Sequence, residues 1–336
     1  MRLSVIVPSY NAEQTIQRCL GSITNSSFKD YELIVIDDGS IDGTKDIAGK
    51  FPCVLKILAS NRGDGAARNE GARISRGEIL VFVDADVAIR KDTLKRISDF
   101  FAANTEADAV VGLLSKTHPN KNFFSQYKNL YMNYIFNKVK NPVDFLFTSI
   151  SAIRKKQFLP FDETIRGYND TELGKRMVRE GKIVILDKNL EVIHLKKYTF
   201  LSFIKNDFRV PFAWANIFLK YRSYKSAIKQ KKFAHAGISQ ILSVGLSPVM
   251  FFLLMLSFMD LKFLSLFIIS AFIFGLLNFN FFKFLKHERE FRFLLISIFA
   301  TYLDMIIMGV GIFCGFTDYF YKKLRSGNFI FQFFVI

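Results

Sequence analysis

Two aspartates separated by one residue, Asp84 and Asp86, end the apolar run LVFVDADV. Unpaired carboxylates are costly to bury, so a pair of them at a strand end should be exposed, protonated or bound to a cation. Hard divalent cations such as Mg²⁺ and Mn²⁺ prefer oxygen ligands, and the phosphates of a substrate commonly complete their coordination. The spacing therefore predicts a site for a divalent cation and a diphosphate, with two solvated loop acids as the alternative.

Other polar residues also follow apolar runs. Asp37 and Asp38 come directly after ELIVI. Pro8 comes directly after LSVIV, and Tyr10 follows two residues later. Open parallel sheets bind their ligands at the carboxyl ends of the strands. We therefore expect these residues to lie at the same edge of a sheet as Asp84.

Short apolar runs alternate with helix-like stretches over the first 200 residues or so. Several runs lack polar alternation, which is typical of strands covered on both faces. The alternation predicts an α/β fold with a doubly wound, Rossmann-like, mostly parallel sheet. The predicted strands cover residues 3–7, 32–36, 54–58, 78–83 and 107–113, and the predicted helices cover residues 16–23, 42–49 and 64–75.

The C-terminal part has a different composition. Hydrophobic residues make up 50% of the 336 residues, and they are concentrated from about residue 239 onward. About 20 apolar residues in a helix cross a hydrocarbon core of ~30 Å. Buried core helices are the alternative, which three such lengths in succession disfavour. The predicted spans cover residues 239–258, 263–282 and 293–316.

The formal net charge of +16 is also unevenly distributed. Six basic residues and no acid lie between Lys220 and Lys232, directly before the first predicted span. Basic residues at this position favour anionic headgroups of a membrane surface as the partner. No nucleic-acid-binding motif accompanies the charge, so we expect no nucleic-acid partner.

The orientation of the spans stays open. Basic residues before the third span, such as Lys283 and Lys286, and after it, such as Lys322 and Lys323, all favour the cytoplasmic side. Three crossings cannot satisfy both clusters. A re-entrant third segment and a different number of spans are the two alternatives.

Three regions follow from these patterns. Residues 1–198 form a catalytic domain, and residues 237–336 form a transmembrane region. Residues 199–236 mix aromatic and basic side chains, which indicates amphipathic interfacial helices, with a packing linker as the alternative. No leader-like segment precedes the first strand, so the catalytic domain is expected to be cytoplasmic. The three predicted spans indicate a multi-pass membrane protein, and the phenylalanine- and lysine-rich composition suggests a prokaryotic source and therefore a prokaryotic plasma membrane.

Five blocks in the first 200 residues resemble the family 2 glycosyltransferases, which have the GT-A fold. The resemblance implies a nucleotide-sugar donor, Mg²⁺ or Mn²⁺ as cofactor, and a place in polysaccharide or glycolipid biosynthesis. The blocks are LSVIVPSYNAE (3–13), YELIVIDDGSIDGT (31–44), NRGDGAARNEGAR (61–73), LVFVDADV (80–87) and FDETIRGYNDTELGKRM (161–177).

The resemblance also implies roles for single residues at the donor site. Pro8, Tyr10 and Glu13 would line the nucleobase pocket. Asp38, with Asp37 beside it, would accept hydrogen bonds from the base or the ribose.

Further roles concern the diphosphate. Arg68 would border the nucleotide and neutralise phosphate charge, with an ordinary surface ion pair as the alternative. Asp84 would contact the ribose or the water shell of the metal, and Asp86 would bind the metal directly. His194 would reach the metal or the diphosphate, with a purely structural histidine as the alternative.

The family usually carries a Glu-Asp pair at the head of a helix, with the second acid as catalytic base. This chain has Asn169 and Asp170 there, so it departs from the pattern at the first position only. Asp170 is the candidate base that removes the acceptor's proton in an inverting transfer. The alternative is an aspartate that merely caps the helix.

The predicted function is a membrane-anchored, metal-dependent, inverting transfer of one sugar from a nucleotide-diphosphate sugar to a lipid-linked glycan at the cytoplasmic leaflet. The Q-x-x-R-W motif of processive members is missing, which favours a single transfer. A polyprenyl-phosphate acceptor stays open, although a phosphate is already ionised and needs no base. Distant alternatives are an inactive membrane scaffold and a sugar nucleotidyltransferase, whose glycine-rich loop after the first strand is missing.

Overall fold

The computed structural model of the chain describes residues 2–165, 168–220, 232–233 and 236–325. It separates the chain into two units, Met1–Tyr198 and Thr199–Ile336. Most of the basic stretch between Lys220 and Lys232 lies outside the described residues, so its role at a membrane surface stays a prediction.

An eight-stranded mixed sheet forms the centre of the first unit. Its strands are β1 (Leu3–Ser9), β2 (Tyr31–Asp37), β3 (Val54–Ile57), β4 (Ile79–Phe82), β5 (Val87–Ala88), β6 (Ala109–Leu114), β7 (Ser151–Arg154) and β8 (Val184–His194). They lie in the order β3-β2-β1-β4-β7-β6-β8-β5. The first four in this order are parallel, and β7 is antiparallel to both β4 and β6.

Six helices and one 3₁₀ turn (Lys155–Gln157) connect these strands. The helices of the first unit are α1 (Glu13–Thr24), α2 (Thr44–Ala48), α3 (Asp64–Ile74), α4 (Thr93–Ala103), α5 (Phe123–Lys138) and α6 (Asn169–Arg179). The predicted α/β sheet is confirmed, and each predicted strand and helix overlaps one in the structure.

Burial on both faces explains the continuous apolar runs. Every residue of β1 and β4 is buried. On one face, α1 contributes Ile16, Leu20 and Ile23 to the core, and on the other face α3 packs Ala67 against Ile36 of β2. Removing this apolar surface from water on both sides is the main force that holds the parallel half of the sheet together.

The sheet brings two distant segments to the end of β4. Since β7 runs antiparallel to β4, the chain that leaves β4 meets the segment before Ser151 at this edge. After a turn at residues 84–86, β5 pairs antiparallel with β8, and Val87 lies opposite His194. The acids that follow β4 therefore lie between the start of β7 and the end of β8.

The second unit is mainly helical. It contains α7 (Phe200–Lys220), the short strands β9 (Lys232–Phe233) and β10 (Ala236–Gly237), α8 (Ile238–Ser257), α9 (Lys262–Glu288) and α10 (Phe291–Arg325). Helices α8, α9 and α10 are long and apolar enough to cross a membrane, as predicted. Large apolar side chains on them, such as Phe252, Phe272 and Phe299, are exposed, as expected of surfaces that contact lipid.

Helix α7 packs against α10 at a short distance. A side chain at Gly311 or Gly315 would collide with the backbone carbonyl oxygens of Phe208 and Phe212. Small residues four positions apart allow close approach of this kind between membrane helices. The part of the predicted interfacial segment that covers residues 200–220 is one helix packed on the third apolar helix, and its position at the membrane interface stays a prediction.

Candidate active site

The two aspartates after β4 point to different partners. The N–H of Val87 donates to the carbonyl of Asp84 at 3.1 Å, which closes the turn between β4 and β5. The Asp84 carboxylate accepts hydrogen bonds from Arg68 Nη2 at 2.8 Å and from Ser149 Oγ at 3.2 Å. Both oxygens of Asp84 are therefore held by side chains of the first unit.

Arg68 is the buried centre of this arrangement. It extends from α3, is 4% exposed, and donates through Nη1 to Asp64 at 2.7 Å and to Asn169 at 3.0 Å. Its guanidinium carbon lies 5.4 Å from the ring centroid of Phe161. Burial favours the neutral form, but Asp84 and then Asp64 raise the pKa of Arg68, so the side chain stays charged.

Asp86 lies on the other side of the turn with fewer contacts. Its side chain is 32% exposed, and its Oδ2 lies 3.6 Å from Nε2 of His194. The N–H of Leu195 donates to the backbone carbonyl of Asp86 at 2.7 Å and fixes the end of β8 beside it. Desolvation raises the pKa of Asp86, but His194 and Lys196 outweigh it and lower the pKa, so the carboxylate is ionised.

A second histidine lies beside His194. The ring of His118 is buried, and its centroid is 5.9 Å from that of His194 in an edge-to-face arrangement. Burial, and then the neighbouring His194, lower the pKa of His118 to about 4. His118 is thus a neutral ring that supports the position of His194, a role that the sequence did not indicate.

Asp170 lies at the start of α6. Its carboxylate accepts the N–H of Thr171 at 2.7 Å and the N–H of Thr148 at 3.4 Å. Desolvation raises the pKa of Asp170 to about 6, although Arg68 and the two backbone donors oppose the rise. A carboxylate that titrates close to neutral pH is suited to remove a proton and later release it.

The acids after β2 hold loops at the same edge. Both oxygens of Asp38 accept backbone N–H groups, from Arg62 at 2.8 Å and from Gly63 at 2.7 Å. Asp37 is buried and accepts the N–H of Ser40 at 2.8 Å, while its second oxygen has no partner within the described part of the chain. These acids therefore shape the loops that follow β2 and β3, whatever else they bind.

The other residues predicted for the nucleobase pocket differ in exposure. Pro8 is buried within β1, whereas Tyr10 is 47% exposed just beyond the end of that strand. Glu13 accepts the N–H of Gly43 at 3.1 Å, so it links the start of α1 to the loop before α2. Tyr10 is the side chain of this group that is open to a planar ligand.

Residues 4–159 match the sequence model of the family described as glycosyl transferase family 2. The match lies within the first unit of the chain, which therefore resembles a glycosyl transferase family 2 domain. Glycosyltransferase AglE of Haloferax volcanii is 40% identical over 126 residues, which are 35% of this chain and 41% of that protein. Poly(ribitol-phosphate) beta-glucosyltransferase of Bacillus spizizenii is 34% identical over 122 residues, which are 34% of this chain and 19% of that protein. The chain spans less than half the length of these curated relatives.

A solved structure resembles this chain over most of its length. Mannosyltransferase PcManGT from Pyrobaculum calidifontis, in complex with GDP-Man and Mn²⁺, has a TM-score of 0.58 and 16% identity. The alignment covers 96% of this chain and 88% of that chain. At this identity the likeness concerns the fold, and the mixed sheet of the first unit is of the GT-A type.

The acids at this edge of the sheet could supply part of the coordination of a cation. Among the residues that the structure describes, no three His, Cys, Asp or Glu side chains form a group that could hold a metal ion. Asp86 and His194 offer one carboxylate and one imidazole, whereas Asp84 is engaged by Arg68 and Ser149. Magnesium sites often use one or two carboxylates and leave the other positions to water and substrate phosphates. The residues present therefore fit a cation that is shared with a diphosphate.

Proposed function

We propose that the chain is an inverting glycosyltransferase that moves one sugar from a nucleotide-diphosphate sugar to a lipid-linked glycan acceptor. The observation that carries the proposal is the pair of unlike carboxylates at one sheet edge. Asp170 is buried enough for its pKa to rise to about 6, and Asp86 is ionised and open beside His194. This reaction needs one carboxylate that acts as the base and one that binds the cation beside the diphosphate.

In the proposed reaction, Asp170 takes the proton of the acceptor hydroxyl. The acceptor oxygen forms a bond to the anomeric carbon of the sugar, and the bond from that carbon to the diphosphate breaks. The electron pair leaves with the nucleoside diphosphate, and Asp170 later returns its proton to solvent. Attack from the face opposite the leaving group inverts the anomeric carbon.

A divalent cation, Mg²⁺ or Mn²⁺, would neutralise charge on the leaving diphosphate. Asp86 and His194 would hold it, with Asp84 next to it and held by Arg68. The Mn²⁺ in the structure of PcManGT supports this part of the proposal. Arg68 itself would add positive charge near the phosphates, since it is charged and buried.

The remaining donor contacts belong to the ends of β1 and β2. Tyr10 would stack on the nucleobase, with Pro8 and Glu13 shaping that pocket. Asp37, whose second oxygen has no partner in the described residues, would accept a hydrogen bond from the base or ribose together with Asp38. The GDP-Man in the structure of PcManGT supports a nucleotide-sugar as the donor.

We further propose that α8, α9 and α10 anchor the enzyme as a multi-pass membrane protein with its catalytic domain at the cytoplasmic leaflet. The support is the length and apolar character of the three helices and the basic residues that flank them. An acceptor carried by a lipid would then reach the enzyme by lateral diffusion. A polyprenyl phosphate is the second candidate acceptor, and it would not need Asp170 as a base.

Full-length protein in detergent, incubated with a panel of nucleotide-sugars, Mn²⁺ or Mg²⁺ and a membrane lipid extract, tests the proposal through labelled lipid. We expect label from at least one donor with the wild type and none with Asp86→Ala. Asp99→Asn is a matched control, because Asp99 is an exposed acid that pairs with Lys95 on α4. Absence of label with every donor, or equal label with Asp86→Ala, would overturn the proposal.

A further inference from the structure

Asn169, which replaces the first acid of the usual pair, closes a ring of three hydrogen bonds. Its amide Nδ2 donates to Asp64 Oδ1 at 3.1 Å, and its Oδ1 accepts from Arg68 Nη1 at 3.0 Å. Arg68 Nη1 also donates to Asp64 Oδ2 at 2.7 Å. Asn169 is buried, and both the nitrogen and the oxygen of its side-chain amide are bonded within the protein.

The ring requires an amide at position 169 because position 64 carries an acid. A carboxylate at 169 could accept from Arg68, but it could not donate to Asp64. Two carboxylates at this separation repel each other, and one of them would have to take up a proton. The acid that the family pattern places on α6 is thus found on α3, across the same arginine.

The backbone around position 64 suits an acid there and an amide at position 169. Asp64 is the first residue of α3, where a negative charge interacts favourably with the helix dipole. The next residue is Gly65, and a Cβ there would lie 2.8 Å from Asn169 Nδ2. A side chain at position 65 would therefore force the Asn169 amide to move and would disturb its hydrogen bonds with Asp64 and Arg68.

We propose that Asp64 is a positioning residue for the donor site and supplies the charge that the missing acid of α6 would supply. Asp64 and Asn169 hold Nη1 of Arg68, and Nη2 of the same guanidinium holds Asp84. The inference rests on the proposed function, since Asp84 is taken to lie next to the donor diphosphate. In this proposal Asp64 acts through Arg68 and not on the reacting atoms.

This arrangement predicts a specific kinetic pattern. Removing the charge in Asp64→Asn loosens Arg68 and Asp84, so the KM for the donor should rise about 10-fold, in line with a lost charged hydrogen bond. The kcat should change much less, because Asp170 keeps its own contacts with Thr148 and Thr171. A merely structural residue would lower the amount of folded enzyme without changing the donor KM.

The decisive test is a charge exchange in the full-length protein. Asp64→Asn and Asn169→Asp are compared with the double variant, which restores one acid and one amide around Arg68. We expect each single variant to lose about 10-fold in kcat/KM for the donor and the double variant to return to within about threefold of the wild type. Asp99→Asn serves as the exposed control and should match the wild type.

Each outcome has a defined meaning. A double variant no better than the worse single variant overturns the inference, while transfer by the wild type leaves the proposed function intact. No transfer by the wild type with any donor overturns the proposed function and, with it, the inference. If Asn169→Asp fails to fold, Asp64→Asn decides alone, and an unchanged donor KM overturns the inference.

Discussion

Asp84 and Asp86 are separated by one residue, yet their surroundings are opposite. Asp84 is bonded through both oxygens, to Arg68 and to Ser149, and belongs to a buried network that reaches Asp64. Asp86 is about one-third exposed, and its Oδ2 lies 3.6 Å from Nε2 of the His194 ring.

The difference explains why two acids can stand side by side at the end of a strand. Burial raises the pKa of Asp84 overall, but the ion pair with Arg68 opposes the rise and holds this carboxylate within the fold. The other charge is left for a ligand from outside. Arg68, with Asp64 and Asp84 bonded to it, therefore forms a preformed frame, and Asp86 is an open binding position.

Asp170→Asn should give the largest kinetic effect, because it removes the proposed base. We expect kcat to fall about 10²–10⁴-fold with little change in donor KM, since asparagine keeps the size of the side chain. Steady-state kinetics with the preferred donor and lipid acceptor measure this. Full turnover by the variant would contradict a hydroxyl acceptor and favour the polyprenyl phosphate.

Arg68→Met tests whether the frame depends on one buried charge. It leaves Asp84 and Asp64 without their shared partner, which should cost about 3–5 kcal/mol of the free energy of unfolding. The midpoint of thermal unfolding should fall by roughly 10 °C. Arg62→Met is the matched control.

The control arginine makes an exposed ion pair with Glu163, with side-chain exposures of 55% and 40%. Surface pairs of this kind contribute about 0–1 kcal/mol, so Arg62→Met should shift the midpoint very little. Equal shifts for the two variants would show that Arg68 is not a frame but an ordinary ion pair.

The pH dependence of kcat follows from the environment of Asp170. Because desolvation raises its pKa to about 6, the protonated, inactive form persists to higher pH than for an exposed aspartate. The rate should rise about tenfold per pH unit up to roughly pH 6 and level off above it. An inflection near pH 4 would contradict the environment described for Asp170.

Gly65→Ala should give the smallest effect and should act on the frame alone. Alanine normally stabilises a helix interior relative to glycine by up to about 1 kcal/mol. A Cβ at position 65 would instead lie 2.8 Å from Asn169 Nδ2, so we expect a loss of stability and a higher donor KM.

Gly21→Ala in α1 is the matched control, since a Cβ there would make an ordinary contact of 4.0 Å with Phe51. This variant should be as stable as the wild type or slightly more stable, with unchanged kinetics. A stabilised Gly65→Ala variant would show that the ring around Asn169 is not tightly packed.

The parallel half of the sheet could be predicted because its strands are buried on both faces and read as continuous apolar runs. Helix α5 could not, because it buries polar residues: Asn129 and Asn133 donate to the backbone carbonyls of Ser115 and Leu114. Polar side chains that face the core erase the helical hydrophobic period. The antiparallel direction of β7 also leaves no trace in a four-residue run.

The candidate site could be predicted where it consists of motif residues. The structure brings Arg68 to Asp84 and His194 to Asp86, and the roles that the resemblance implied for them stay predictions. Ser149 lies in a loop without a motif, and its partner is 65 residues away in sequence. The role of Asp64 became visible only through its contact with Asn169, although its place beside two glycines was a local signal.

The central claim is that Asp86 holds a divalent cation together with the donor's diphosphate. Titration calorimetry of the full-length wild type with UDP and GDP, with and without Mn²⁺, tests it most directly. We predict binding of one nucleotide that depends on Mn²⁺ and is lost in Asp86→Ala, while Asp99→Asn binds as the wild type does. Nucleotide binding of equal strength without Mn²⁺, or in Asp86→Ala, would contradict the account.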